Sequence, residues 1–311
     1  MWEAVASVSA FAFAFNLETC ATCETCFCYT FPMPTPPPIV WTIAGFDPSS
    51  GAGVTADIKT ISALGCYGVS CITALTVQNT LGVRRISPIS PQTVRETLHA
   101  LLDDFQPNAI KIGMLATVEI VSVVADFLEA LSQPRCPIVL DPIMHSSSGA
   151  QLLDPDGIAL LRSRLLPLAT VVTPNRAEAA TLTARHAAPP EDLAQALRHL
   201  GAQAAVVTGG DATGGDDTGA DGSAADSSDV LAYSLQGMEF VETLSAPRIA
   251  SNATHGTGCA FSTAIACALA QGRSIPTAVT SAKAFVRRAI ERAPALGRGK
   301  GPMGLDRAAE E

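Results

Sequence analysis

Asn252-Ala253-Thr254-His255-Gly256-Thr257-Gly258-Cys259 opens an apolar run, and its residue types suit an anion. Glycines at 256 and 258 let a ligand come close to the backbone. N–H groups at a helix start point outward, and the helix dipole favours negative charge there. Cys259 falls in the first turn, where a thiolate is expected to be stabilised. A thiolate beside bound phosphates can take a proton from a hydroxyl. Taken alone, G-x-G before a helix also reads as an ordinary loop–helix junction with a buried cysteine.

A second loop, Gly45-Phe46-Asp47-Pro48-Ser49-Ser50-Gly51-Ala52-Gly53, runs into Asp57. It directly follows an apolar run, and in open α/β sheets ligands bind beyond the carboxyl ends of strands. Gly51 and Gly53 allow close packing around a small substrate, and Asp57 is placed to accept hydrogen bonds from it. The alternative is a turn with an Asp favouring a helix N-terminus. Polar residues also follow three further apolar runs: Gln78-Asn79, Asp141-Pro142 and Thr173-Pro174-Asn175, with Glu178 close behind. Each could be a cap or turn residue. Their shared position favours one common site. Asp141, Asn175 and Glu178 are hard oxygen donors suited to Mg²⁺, directly or through water.

The elements that must position these residues are legible from periodicity. Ile39 to Ala44 reads as a short buried strand. Val54, Ile58, Ile61 and Leu64 then share one helix face, with Gly65 at its C-terminal cap. Strands are expected at 69–77, 109–112, 137–140, 170–172 and 204–207. Helices are expected at 94–102, 120–131, 158–165, 193–200, 258–270 and 275–292. Strands alternating with helices imply an α/β fold: a mostly parallel sheet with helices on both faces. Residues 211–229 break the alternation with six Asp and no Lys or Arg, which reads as a solvated insertion. A hairpin follows over 231–241.

The chain has 311 residues, 48% hydrophobic and 16% charged, a globular balance able to bury a sizeable core. A net charge of -9 argues against a nucleic-acid partner. Nine cysteines, with Cys66, Cys71, Cys136, Cys259 and Cys267 in apolar surroundings, fit reduced, intracellular usage. Residues 1–38 lack Lys and Arg and contain five prolines between Pro32 and Pro38, so they read as a disordered extension. Ala4 to Phe15 is apolar but too short to span a bilayer. It lacks the basic residues of a signal or transit peptide. Cys20, Cys23, Cys26 and Cys28 only partly match an iron–sulfur spacing, and neither His nor a second ligand cluster is nearby. His145, His186 and His199 read as surface or packing residues, and His255 as orienting the anion loop.

Together these segments resemble the ribokinase superfamily and, more narrowly, the hydroxymethylpyrimidine and phosphomethylpyrimidine kinases of thiamine biosynthesis. The carriers are TIAGFDPSSGAGVTADIKTISALGCYG, TALTVQNT, KIGML, IVLDPIMHSSSGAQLL, VVTPNRAEA, APRI and HGTGC, spread over residues 39–303. The resemblance implies a three-layer ribokinase-like fold and a cytosolic, ATP- and Mg²⁺-dependent kinase of a small pyrimidine. It implies a homo-oligomer, a dimer, with no nucleic-acid or membrane partner. Cys259 would be the catalytic base, and the Gly256, Thr257 and Gly258 backbone would hold the transferring phosphoryl. Gly45, Asp47, Ala52, Asp57, Gln78 and Met114 would line the pyrimidine site. Asp141, Asn175 and Glu178 would organise Mg-ATP, with Asp141 and Glu178 on the metal and Thr208 and Gly210 at the nucleotide. The family phosphorylates the hydroxymethyl group and then the monophosphate.

One departure is Thr208-Gly209-Gly210, where the family usually has Lys-Gly-Gly; the missing Lys would face phosphate charge. The tail Gly299-Lys300-Gly301-Pro302 carries Lys where the family commonly has His. Two rival readings follow. One is a pyridoxal or pyridoxine kinase of the same branch. The other is a pyrimidine-binding relative that has lost turnover, suggested by Thr208 and the acidic 211–229 segment.

Overall fold

The computed structural model describes residues 17–19, 27–29, 35–131, 136–146, 149–209 and 226–308. Gly210, Cys20, Cys23, Cys26 and most of the expected extension and acidic insertion lie outside the described residues. The chain divides into two units, 1–36 and 37–311. In the first, β1 (Leu17–Thr19) pairs antiparallel with β2 (Phe27–Tyr29).

The second unit is built on a nine-stranded sheet. In chain order its strands are β3 (Ile39–Phe46), β4 (Tyr67–Asn79), β5 (Gly82–Pro88), β6 (Ala109–Ile112), β7 (Ile138–Leu140), β8 (Val171–Val172), β9 (Ala204–Val207), β10 (Ser227–Leu235) and β11 (Met238–Ala246). In space the order is β11-β10-β9-β8-β7-β6-β3-β4-β5. The six strands from β9 to β4 run parallel, and β5, β10 and β11 add antiparallel edges. The expected mostly parallel sheet is therefore present. Strand β10 starts at Ser227, inside the segment expected to be an insertion, and its hairpin runs longer than the expected 231–241. Strand β5 was not anticipated.

Helices α1 (Gly53–Ala63), α2 (Pro91–Asp104), α3 (Val118–Ala130), α4 (Pro155–Leu160), α5 (Arg176–Thr183), α6 (Pro190–His199), α7 (Thr257–Ala270) and α8 (Ile275–Glu291) cover both faces. Strand alternation decides which face each side chain serves. Trp41, Ile43, Ile110, Ile112, Ile138 and Leu140 join the core beneath α2 to α6. Val40, Ala109, Val139, Val171, Ala204 and Val206 join the core beneath α1, α7 and α8. The expected helix over 158–165 is present, as the end of α4 continued by a π-helical turn at Leu161–Leu165. Helix α5 has only eight residues and little apolar periodicity, so its pattern was illegible in the sequence. The core does not stop at residue 303: Leu305 and Ala308 are buried against α8. Arg288 Nε donates to the Ala308 carbonyl at 2.9 Å.

Candidate active site

Side-chain oxygens of Ser90, Thr117, Asp154, Asn175 and Ser274 cap α2, α3, α4, α5 and α8. Helix α6 starts after Pro189 and helices α1 and α7 at Ala52 and Gly256, all three without such a cap, and the last two lie in the two glycine loops. These two starts meet. Gly256 adopts φ 78°, and a Cβ there would overlap the Gly51 carbonyl oxygen and lie 2.9 Å from Ala52 Cα. A Cβ on Gly51 would overlap the His255 ring. The glycines are therefore required by contact between two loops about 200 residues apart, as well as by any ligand.

Asp47 and His255 latch the two loops. His255 Nε2 lies 2.7 Å from Asp47 Oδ2. Asp47 also accepts from Ser49 N at 2.8 Å, Ser49 Oγ at 2.7 Å, Gly51 N at 3.2 Å and Ala52 N at 2.9 Å. Burial pushes the Asp47 carboxyl up, but hydrogen bonds from His255, Gln78 and Ser49 outweigh it. The group is held well below the usual carboxylate range. Gln78, at the end of β4, thus meets Asp47 directly. His255 orients its loop, as expected, through this contact.

Asp57 does not face the cleft. It is fully buried and accepts from Thr42 Oγ1 at 2.6 Å, Lys111 Nζ at 2.8 Å and Thr263 Oγ1 at 2.8 Å. Helix α1 turns this position inward against the sheet and α7, so its hydrogen bonds come from the protein and not from a ligand. Lys111 was not singled out in the sequence. An ammonium in the apolar strand Ala109-Ile110-Lys111-Ile112 was the available signal, because Lys is almost never fully buried unless paired.

Cys259 is buried in the first turn of α7. The expectation of a stabilised thiolate needs correcting. Burial pushes the thiol up to about 12. The nearby Lys111 ammonium opposes this, Asp141 and Asp57 reinforce it, and the Gly53 N–H favours the thiolate. Desolvation in a closed first turn outweighs the helix dipole.

Asp141 follows β7 and is buried, with Ser262 Oγ donating to it at 3.2 Å. A Cβ on Gly258 would lie 3.9 Å from Asp141 Oδ2, which places this carboxylate beside the 256–258 turn. Asn175 and Glu178 form a capping box at the start of α5. Asn175 accepts from Glu178 N at 2.9 Å, and Glu178 Oε2 from Asn175 N at 3.0 Å. Glu178 Oε1 accepts from Met144 N at 3.3 Å. Thr208 follows β9, bridging to Asn175 and donating its N–H to the Pro174 carbonyl at 2.9 Å. Beside it, Gly209 N donates to Asp229, which is paired with Lys283 at 2.6 Å.

Met114 is buried with Ala74 and Leu152, and its sulfur would lie 2.9 Å from a Cβ on Gly45. Gly45 and Met114 are thus neighbours. A cavity of about 300 Å³ next to this cluster is lined by Ile86, Pro88, Ala116, Gln151, Leu152, Leu153 and Asp154. None of Asp47, Gln78, Asp141 or Cys259 lines it, so we locate the chemistry from the side-chain geometry. The tail contributes more than was expected. Gly301 O accepts from His255 N at 3.3 Å, and Gly301 N donates to Asn252 O at 2.9 Å. Residues 299–302 therefore strap the anion loop.

Among the described residues no group of three or more His, Cys, Asp or Glu is arranged to hold a metal by itself, and no helix is long and apolar enough to cross a membrane. The family model described as Phosphomethylpyrimidine kinase matches residues 47–304. A hydroxymethylpyrimidine/phosphomethylpyrimidine kinase of Synechococcus elongatus is 41% identical over 270 residues, 86% of this chain and 97% of that one. Two solved structures share the fold. A Staphylococcus aureus pyridoxal kinase, in complex with AMP-PCP and pyridoxal, is 31% identical with a TM-score of 0.73, over 86% of this chain and 94% of that one. A phosphomethylpyrimidine kinase from Clostridium difficile 630 is 32% identical with a TM-score of 0.67, over 81% and 99%.

Proposed function

The chain belongs to the phosphomethylpyrimidine kinase family, and on that premise we propose how its residues carry out the ATP-dependent phosphorylation of 4-amino-5-hydroxymethyl-2-methylpyrimidine and then of its monophosphate. The observation that carries this reading is the meeting of two uncapped helix starts, one bearing Cys259 and the other next to Asp47 and Gln78. The first end supplies N–H groups for phosphate. The second supplies a hydrogen-bonding edge for a polar ring.

Gln78 donates to Asp47, which fixes its amide. Its carbonyl and second N–H then offer the acceptor–donor pair that a pyrimidine nitrogen and amino group need. Gly45, Ala52 and Met114 form the wall, and Gly45 keeps the Met114 sulfur clear of a side chain. The Gly256, Thr257 and Gly258 N–H groups hold the transferring phosphoryl, since no side chain of the protein competes for them. Cys259 receives the proton of the attacking hydroxyl. With its thiol pushed up to about 12 the resting group holds its proton; to act as base it first releases that proton to solvent, a loss that the Lys111 ammonium and the Gly53 N–H favour and the bound phosphates oppose.

ATP supplies the phosphoryl, and Mg²⁺ neutralises charge on its oxygens. Asp141 fits the metal: it is a hard carboxylate at a strand end beside the phosphate turn. Glu178 holds its carboxylate in place with one backbone N–H on each oxygen, which leaves a lone pair on each to reach the metal directly or through water. Thr208 and Gly210 are assigned to the nucleotide on their position after β9, and Asn175 supports that end as the cap of α5. The reading extends to a cytosolic homodimer.

A coupled assay of ADP release, run separately on the hydroxymethylpyrimidine and on its monophosphate, tests the proposal. Wild type should turn over both. Cys259→Ala should lose about 10²- to 10⁴-fold in kcat, the usual range for a positioned proton acceptor. Equal rates for Cys259→Ala and wild type would remove the base assignment. Pyridoxal is the comparison substrate, motivated by the likeness to the Staphylococcus aureus enzyme. A higher kcat/KM on pyridoxal would reassign the substrate.

A further inference from the structure

Lys111 is a buried charge that the proposed chemistry leaves unused. Its strand, β6, sits near the centre of the sheet between β3 and β7, in register with Thr42 and Val139. Alternation puts Lys111 on the α1–α7 face with Ala109 and Val139. There it is fully buried, and so is Asp57, its partner at 2.8 Å. A buried ion pair is weak evidence for stability, because an apolar pair of similar volume is often as stable or more so. Such a pair beside a cleft points instead to a functional use of the charge.

Its connections show what that use is. One Asp57 oxygen takes both Lys111 and Thr42; the other takes Thr263. Thr263 lies one helical turn after Cys259 on α7, so the two share a face. On its other side the ammonium sits under Gly113, where a Cβ would come within 2.9 Å of Nζ. Gly113 precedes Met114, the wall residue against Gly45. The ammonium therefore ties the end of β6 to α1 directly and, through Asp57, to Thr263 on α7. Burial works against its charge, but Asp57, Cys259 and Asp141 together hold it well above the ordinary lysine range.

We propose that Lys111 is a positioning residue for phosphoryl transfer: locked to Asp57 and through it to Thr263, it sets the first turns of α7 and places fixed positive charge beneath the Cys259 end of the site. This rests on the reading of Cys259 as proton acceptor. The charge acts on what accumulates during transfer, so its loss should appear in kcat and leave substrate affinity nearly intact.

Two variants of the full chain test this by ADP release and thermal unfolding. The pair variant K111M with D57N removes the cation without leaving a buried carboxylate unpaired. It should melt within about 5 °C of wild type. Its kcat should fall about 30-fold or more, with KM for the pyrimidine and for ATP within about threefold. T263V keeps the ion pair and cuts its tie to α7. It should lose about five- to tenfold in kcat, again with KM nearly unchanged. Wild-type kcat in a folded pair variant, or a loss confined to KM, overturns the proposal. If the pair variant does not fold, T263V decides, and wild-type kcat there overturns it. Cys259→Ala in the same assay separates the two claims. If it keeps wild-type kcat, the base assignment fails, whatever Lys111 does.

Discussion

Helices α5 and α7 both start at loops that looked like ligand sites, yet their N-termini are built oppositely. Asn175 and Glu178 close the start of α5 on itself: side chain to backbone in both directions, with the spare Glu178 oxygen on Met144 N. The start of α7 has Gly256 in the left-handed region and no side-chain cap. Every helix begins with orphan N–H groups. Where the protein satisfies them the junction is structural, and where it leaves them open beside a second uncapped start, an anion can take them. Asn and Glu at that spacing read equally well as ligands or as a capping box, and the contacts favour the box.

The largest expected effect comes from closing the open end. Gly256→Ala places a Cβ on the Gly51 carbonyl at a backbone conformation that costs a side chain about 1–3 kcal/mol before the clash is counted. kcat/KM for the pyrimidine should fall at least about 100-fold, and the melting temperature should drop as well. Near-native activity would mean that the two loops do not meet as described.

A smaller effect tests the buried state of the α7 cysteine. Alkylation by iodoacetamide follows the thiolate fraction. With its thiol at about 12, Cys259 should react slowly at pH 7 and roughly tenfold faster per pH unit up to pH 9. Cys66, lowered chiefly by its hydrogen bond with Cys267, should react faster than Cys259 throughout this range. Peptide mass mapping after timed quenching separates the two. A Cys259 rate that is flat from pH 7 to 9 would show a thiolate already formed at the helix start.

The smallest effect belongs to the closed end. Asn175→Ala removes the cap of α5 and should cost about 1 kcal/mol in denaturant unfolding. KM for ATP should move less than about threefold. A tenfold rise in that KM would return Asn175 to the nucleotide site as a direct ligand.

The sequence by itself determined the alternation of strands and helices, the two glycine loops at strand ends and the family they resemble. These are local signals: period-two and period-3.6 patterns and short glycine motifs survive in a linear reading. It could not separate Asp47 from Asp57. Both are acidic residues near one glycine loop, and only packing shows that the first faces His255 and Gln78 while the second is sealed under Lys111 and Thr263. Nor could it locate Lys111, whose partners lie 54 residues away on α1 and, through Asp57, on α7. Nor does the tail sequence show that Gly301 straps the anion loop or that Ala308 is core. Whether a polar residue serves a ligand or the fold depends on which hydrogen-bonding groups reach it, and those come from distant segments that only the tertiary structure brings together.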